Sequence, residues 1–112
     1  MAYQLDVDAF DSLGQVAAEL IGDSGIIREA TGRLDVYGNV RLTSDNGTVL
    51  ETDYLRWNSK TNRIETEAFV KITRGNEWIT GWGLDADEHL DSFRILRDVK
   101  GTLTSAEHLS EP

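Results

Sequence analysis

Two segments of the chain alternate apolar and polar residues in nearly the same way, thirty positions apart. In residues 33–43 and again in residues 63–73, the even-numbered positions are apolar or small, and most odd-numbered positions are polar. Successive side chains of a β-strand point to opposite faces, so each segment predicts a strand with one buried and one wet face. A third segment continues the spacing 29 residues later, giving two series: Leu34, Ile64, Phe93 and Val40, Val70, Val99. Such a period predicts stacked strand pairs that extend one continuous core.

Turn signals divide the chain into further short strands. Asn46 and Gly47 favour a tight hairpin turn, which would pair residues 33–43 with residues 48–57. The apolar phase changes along the second of these segments, which predicts a β-bulge near residues 52–53. The remaining strands are predicted at residues 16–21, 26–29, 77–84 and 92–103.

The chain as a whole is predicted to be a single all-β domain spanning residues 1–112. It contains one proline and no convincing helical pattern, and strands every 8–12 residues are typical of a sandwich, roll or solenoid. The ordered core is expected over residues 10–103. Residues 3–13 fit either an edge strand or a loose arm, and residues 104–112 fit a frayed tail.

Composition excludes several classes of function. The net charge is −9, and no basic stripe is present to neutralise phosphates, so a nucleic-acid partner is not expected. Cysteine is absent, so no disulfide or thiolate metal site can form. No run of about 18 apolar residues is present to span a membrane.

The densest polar cluster, residues 85–91, is interpreted as a solvated, charged strand edge or turn. A calcium loop of the EF-hand type needs glycine at its sixth position and glutamate at its twelfth, which are Leu90 and Leu96 here. The two histidines, His89 and His108, have no nucleophile motif beside them. We therefore predict no catalytic residue, no metal and no cofactor, and a protein that is not an enzyme.

The three tryptophans suggest an alternative function. Trp57, Trp78 and Trp82 could form a platform on which sugar rings stack, and Trp78 and Trp82 share strand parity. A secreted carbohydrate-binding β-sandwich that uses Trp78 and Trp82 is therefore the alternative hypothesis. Ordinary core packing of these side chains is the simpler interpretation and is favoured.

Six segments of the chain form a distinctive series: Gly38–Leu42, Gly47–Leu55, Ile64–Thr66, Val70–Ile72, Gly81–Asp87 and Val99–Gly101. In their order and spacing they resemble the LptC family and, more broadly, the OstA-like periplasmic proteins of lipopolysaccharide export. The resemblance runs from about residue 10 to residue 103. It implies an open, twisted antiparallel β-jellyroll with two facing sheets and an apolar slot for the acyl chains of lipid A.

The resemblance also implies partners and a location. These are lipopolysaccharide, an inner-membrane ABC transporter and an LptA-like periplasmic jellyroll, in the periplasm. The family's N-terminal transmembrane helix is absent from this chain, so a tether to the inner membrane and a choice between LptC-like and LptA-like roles stay open. The slot would be lined by the inward-facing residues: Val36, Val40, Leu42, Leu55, Trp57, Ile64, Val70, Ile72, Leu84, Phe93 and Ile95.

The ends of an open sheet carry unpaired backbone N–H and C=O groups, to which a partner can add strands. We expect these edges at residues 16–21 and 99–103. Edge-to-edge docking there would join the slots of neighbouring jellyrolls and is also compatible with homo-oligomers. The docking residues predicted on this basis are Val16, Ala18, Leu20, Val99, Gly101 and Leu103.

Overall fold

The all-β prediction is confirmed by a computed structural model, which describes residues 5–10, 13–87 and 89–101. The described residues contain no helix, and therefore none long and apolar enough to cross a membrane. Their eight strands are β1 Leu5–Phe10, β2 Val16–Gly22, β3 Ser24–Arg28, β4 Arg33–Ser44, β5 Val49–Asn58, β6 Arg63–Arg74, β7 Glu77–Asp87 and β8 Phe93–Gly101.

All eight strands belong to one antiparallel sheet, in the order β1-β2-β4-β5-β6-β7-β8, with β3 also paired to β4. The chain bends between β2 and β3, where the Asp23 N–H donates to the carbonyls of Tyr37 and Gly38 at 3.1 and 2.9 Å. Because of this bend, β2 pairs with the second half of β4 and β3 pairs with its first half. The two facing sheets that we expected are therefore halves of one continuous sheet.

Each alternate long strand carries an extra residue near its middle. The extra residue lies between Tyr37 and Val40 in β4, and the same irregularity occurs in β6 and β8. Left-handed backbone accompanies two of these bulges, with φ of 47° at Asn39 and 53° at Asp98. A bulge bends a strand and increases its twist, so the thirty-residue sequence repeat corresponds to a repeated bend.

The bulge predicted near residues 52–53 is partly correct. The register between β5 and β6 does shift between Thr52 and Arg56. The extra residues, however, belong to the neighbouring strands β4 and β6 and not to β5. Both neighbours of β5 carry an extra residue that β5 lacks. This difference accounts for the change of apolar phase along β5.

The bends wrap the sheet around one hydrophobic core. In β4, Leu34 and Val36 precede the bulge while Val40 and Leu42 follow it, and all four are buried in the same cluster. The Asn46-Gly47 hairpin forms as predicted between β4 and β5, with Gly47 at a φ of 86°. A sheet with one apolar face can bury that face only by folding over it, as this one does.

The N-terminal edge differs from the prediction. Of the two alternatives for residues 3–13, the edge strand is found: Leu5–Phe10 is a strand and pairs with β2 from Leu5↔Gly22 to Phe10↔Val16. Since β2 lies between β1 and β4, the expectation that Val16, Ala18 and Leu20 form the edge is wrong; β1 occupies that edge.

The C-terminal edge of the described sheet is β8, and docking of a partner there stays a prediction. β8 pairs only with β7 among the described residues, and Val99 and Gly101 lie on it. Leu103 and the predicted tail lie outside the described residues.

Candidate functional site

The residues expected to line a slot come together in the interior. Ten of the eleven are at most 2% exposed and belong to a single cluster, and Trp57 is half-buried and packs against it. The ten are Val36, Val40, Leu42, Leu55, Ile64, Val70, Ile72, Leu84, Phe93 and Ile95. Whether they contact a lipid remains a prediction, because the same burial serves an ordinary core.

The interior is closed to solvent at these ten positions. Side chains with almost no exposed surface are in contact with one another, so a ligand could reach them only if the two halves of the sheet separated. All ten are hydrocarbon side chains and offer no hydrogen bond or charge. These ten positions therefore offer only apolar contacts.

A pocket of about 320 Å³ opens at the end of the fold where β1, β3, β4 and β5 meet. The indole nitrogen of Trp57 is buried and has no hydrogen-bond partner among the described residues. Of the residues that line this pocket, only Trp57 and Leu34 stand out in the sequence pattern. The others are brought to the pocket because β3 folds back against β4. Its apolar lining is Val7, Ile27, Leu34 and Trp57, and its polar lining is Arg28, Glu29, Arg33 and Ser59.

Two of the pocket arginines are fixed by a buried carboxylate. Asp35 is fully buried and accepts hydrogen bonds from Tyr54 Oη at 2.7 Å, Arg33 Nε at 3.1 Å and Arg28 Nε at 3.3 Å. Burial alone would raise the pKa of Asp35, but the hydrogen bonds from Tyr54, Arg33 and Arg28 outweigh it and lower the pKa below its ordinary value. Asp35 is therefore ionised and structural at neutral pH.

The two edges of the sheet carry opposite charge. Asp6 and Asp8 on β1 and Glu19 on β2 are close enough for their carboxylate oxygens to lie within 4.8 Å of one another. A hydrogen bond with Asp6, together with the like charge of that carboxyl, raises the pKa of Glu19. At the other edge, β8 carries three exposed cations, Arg94, Arg97 and Lys100, and one exposed carboxylate, Asp98. Arg94 also forms an ion pair with Asp85 at 3.7 Å, and the strand is net basic.

Asp85 and Asp87, two carboxylates of the polar cluster at residues 85–91, are hydrogen-bonded within the protein. Asp85 accepts two hydrogen bonds from Arg63, at 2.6 and 3.1 Å. Asp87 accepts one from the Ser92 N–H at 3.0 Å. These contacts agree with the interpretation of the segment as a strand end and turn.

The tryptophans divide between the two faces of the sheet. Trp78 and Trp82 are 40% and 43% exposed on the outer face, where Trp82 meets Phe69 edge to face at 5.3 Å. Trp57 packs against the core on the opposite face, so a platform of all three tryptophans is excluded. A sugar site that uses Trp78 and Trp82 alone remains untested.

Comparison with known proteins gives one finding. The family model described as lipopolysaccharide-assembly, LptC-related, matches residues 7–104. No curated protein matches the chain. The matched range contains every interior residue named above and both edge strands except Leu5 and Asp6.

Proposed function

Because the chain belongs to the LptC family of lipopolysaccharide-assembly proteins, we propose that it is a non-enzymatic lipid carrier in lipopolysaccharide transport. It holds the acyl chains of lipid A in its apolar interior, in the periplasm. It receives the lipid from an inner-membrane ABC transporter and passes it to an LptA-like jellyroll. The energy for movement comes from ATP hydrolysis by the transporter, while this domain shields the acyl chains from water.

The observation that carries the proposal is a large cluster of buried hydrocarbon side chains enclosed by one sheet, whose edge strands β1 and β8 each pair with one strand among the described residues. Ten interior residues present only hydrocarbon. Transfer of an acyl chain from water into such an interior is worth about 0.8 kcal/mol per buried methylene. Several acyl chains therefore supply ample affinity without a charged partner.

Lipid binding on this account requires the two halves of the sheet to part. The interior residues are closed to solvent and contact one another. Incoming acyl chains therefore have to replace these contacts between side chains. In the part of the chain that the structure describes, no strand joins β1 to β8 and closes the sheet into a barrel. Such a sheet can open without breaking a ladder of backbone hydrogen bonds.

Docking of the next jellyroll is proposed at the same two edges. A partner strand added to β8 would meet Arg94, Arg97 and Lys100, and a strand added to β1 would meet Asp6 and Asp8. Attraction between opposite charges steers association, and repulsion between like charges opposes the pairing of two identical edges. The basic edge of one jellyroll therefore faces the acidic edge of the next. The attraction is between exposed groups and weakens as salt is added.

The proposal is tested by placing a photo-crosslinking amino acid at Ile72, which is buried, and at Lys71, which is exposed on the other face. The two variants are compared in a reconstituted transport system with and without ATP. Lipopolysaccharide adducts are expected at Ile72 in the presence of ATP and not at Lys71. Absence of adducts at Ile72, with the same variant folded and bound to its partners, would reject the carrier function.

A further inference from the structure

Four residues between β7 and β8 join the two halves of the sheet at the strand ends, away from the bulges. We propose that residues 89–92 form a detachable strap with Leu90 as its plug, and that release of this strap is the step that lets the halves part. The inference rests on the proposed function, because it takes opening of the fold as the way in which cargo enters. It adds the place where opening begins and the contacts that control it.

The strand pairing places the strap and its contacts on different halves of the sheet. The first half contains the start of β4, the end of β5 and the end of β7, and the second half contains the end of β4, the start of β5 and the end of β6. The strap joins the end of β7 to the start of β8, so it belongs to the first half. The turn of residues 45–48 and Arg74, at the end of β6, belong to the second half.

The outer contacts of the strap are hydrogen bonds to the turn between β4 and β5. Asn46 Nδ2 donates to Asp91 Oδ1 at 2.6 Å and to the His89 carbonyl at 3.1 Å. His89 Nδ1 also lies 3.1 Å from Asp45 Oδ1. The side chains of Asp45, Asn46 and Asp91 are exposed, so water can replace these hydrogen bonds at little net cost.

Arg74 holds the strap from its inner side. Its Nη2 donates to the Leu90 carbonyl at 3.0 Å, and its Nε donates to the hydroxyl of Thr48 at 2.8 Å. Thr48 is fully buried at the start of the second half of the sheet. One guanidinium group therefore fixes the position of the strap when the fold is closed.

Leu90 closes the core at this point under backbone strain. Its side chain is fully buried and belongs to the same cluster as the interior residues, whereas the other three strap residues are partly or wholly exposed. Its backbone is left-handed, with a φ of 56°, a conformation that bulky side chains rarely adopt. Release of the strap relieves this strain while it exposes one leucine, so the closed and open positions differ less in free energy than they would for an unstrained loop.

These features make the strap the first part of the fold to open. Local opening occurs where few apolar contacts are buried and where the hydrogen bonds face water. The strap has one buried side chain, whereas the central strands β5 and β6 are each paired on both sides. Departure of Leu90 from the core then gives access to the interior at the line where the two halves meet.

The reactivity of a buried thiol tests whether the strap opens by itself. The chain contains no cysteine, so Leu90→Cys and the control Leu55→Cys each place a single thiol at a fully buried leucine position. The thiol of Leu90→Cys should react with a thiol reagent at least about tenfold faster, and its rate should depend less on denaturant because only a local opening is required. Equal rates with equal dependence on denaturant would overturn the inference.

A reducible bridge tests whether release of the strap is needed for loading. Asn46→Cys and Asp91→Cys are joined by a short bismethanethiosulfonate in the protein that carries the photo-crosslinker at Ile72. The control bridge joins Arg41→Cys to Glu51→Cys, two exposed positions that pair within the second half. The strap bridge should reduce lipopolysaccharide adducts at least about tenfold, reduction of the bridge should restore them, and the control bridge should have no effect.

The outcome is separable from that of the carrier function. Undiminished adducts with the strap bridge in place would overturn the inference and leave the carrier function standing. Absence of adducts in the unbridged protein would reject the carrier function instead. The thiol comparison alone would then decide whether the strap is detachable.

Discussion

Replacing Asp35 by asparagine is expected to destabilise the fold strongly, although the two side chains have nearly the same shape. The carboxylate is fully buried and accepts three hydrogen bonds, from Tyr54, Arg33 and Arg28. Asparagine retains one acceptor oxygen, but its NH₂ group would face an arginine N–H, so that two donors meet. The ion pairs with both arginines are lost as well.

The structure limits how large this effect can be. Each hydrogen bond to a charged group contributes about 1.5–3 kcal/mol, so three of them set an upper bound. The arginine side chains are 54% and 39% exposed, and water replaces much of what they lose. We expect a decrease in the free energy of unfolding of about 2–4 kcal/mol at pH 7. For a domain of this size the melting temperature would fall by roughly 10–20 °C.

The pH dependence gives a second signature of the same contacts. The pKa of Asp35 is lowered in the folded protein, so its stabilising contribution is present above the unfolded pKa and is lost as pH falls through the folded pKa. The difference between wild type and Asp35→Asn should therefore be constant near neutral pH. It should shrink below about pH 3.9, the ordinary pKa of aspartate.

Chemical denaturation at pH 7 and at several acidic pH values measures both quantities. Asp53→Asn is the matched control, because Asp53 is an exposed carboxylate on the neighbouring strand β5, and its replacement should cost less than about 0.5 kcal/mol. A loss below about 0.5 kcal/mol for Asp35→Asn would refute the reasoning. So would a loss that does not change with pH.

Three further predictions concern the packing, the acidic edge and the basic edge. Gly81→Ala should destabilise the fold by about 1–3 kcal/mol in denaturant, since the new Cβ would collide with Ile95 and lie 2.8 Å from the Arg97 carbonyl; an unchanged midpoint would contradict this. The pKa of Glu19 is raised by its contact with Asp6, so repulsion between the carboxylates lowers the stability of the fold as pH rises through that pKa. Glu19→Gln should therefore raise the melting temperature at pH 7 but not at pH 3. An equal change at both pH values would contradict this. Val99→Asp should weaken binding of a partner jellyroll while Val99→Thr retains it, as measured by surface plasmon resonance; equal binding by both would remove β8 as the docking edge.

The strands were predictable because the alternation of apolar and polar residues indicates the face on which each side chain lies. Predicted strands at residues 33–43 and 63–73 are found as Arg33–Ser44 and Arg63–Arg74. Their even-numbered apolar residues point inward on both sides of each bulge. Regular alternation is a local signal, and it requires no knowledge of which strand lies alongside.

The N-terminal edge was not predictable from local signals. The alternation of Leu5, Asp6, Val7 and Asp8 fits a strand, but the same residues would also fit an unpaired arm. Its pairing with β2 depends on a contact across a turn and on the strand order of the whole sheet. Pairing of this kind is decided by long-range contacts that the sequence pattern does not contain.

The pocket and its buried carboxylate were missed for a related reason. Asp35 lies at a strand position whose side chain faces away from the core, where alternation predicts solvent. It is buried because Arg28 of β3 and Tyr54 of β5 cover it from both sides. The bend between β2 and β3 that brings Arg28 there has no signature beyond short turn residues in the chain.

The most direct test of the central claim is to observe lipid acyl chains beside the interior residues without altering any of them. Isoleucine methyl groups in an otherwise deuterated protein report this through nuclear Overhauser effects to the acyl protons of bound lipopolysaccharide. Methyl groups of the buried Ile64, Ile72 and Ile95 are compared with those of Ile26 and Ile27, which are exposed on β3. The account predicts strong effects at the three buried methyl groups. Effects confined to Ile26 and Ile27, or found at none of the five, would contradict it.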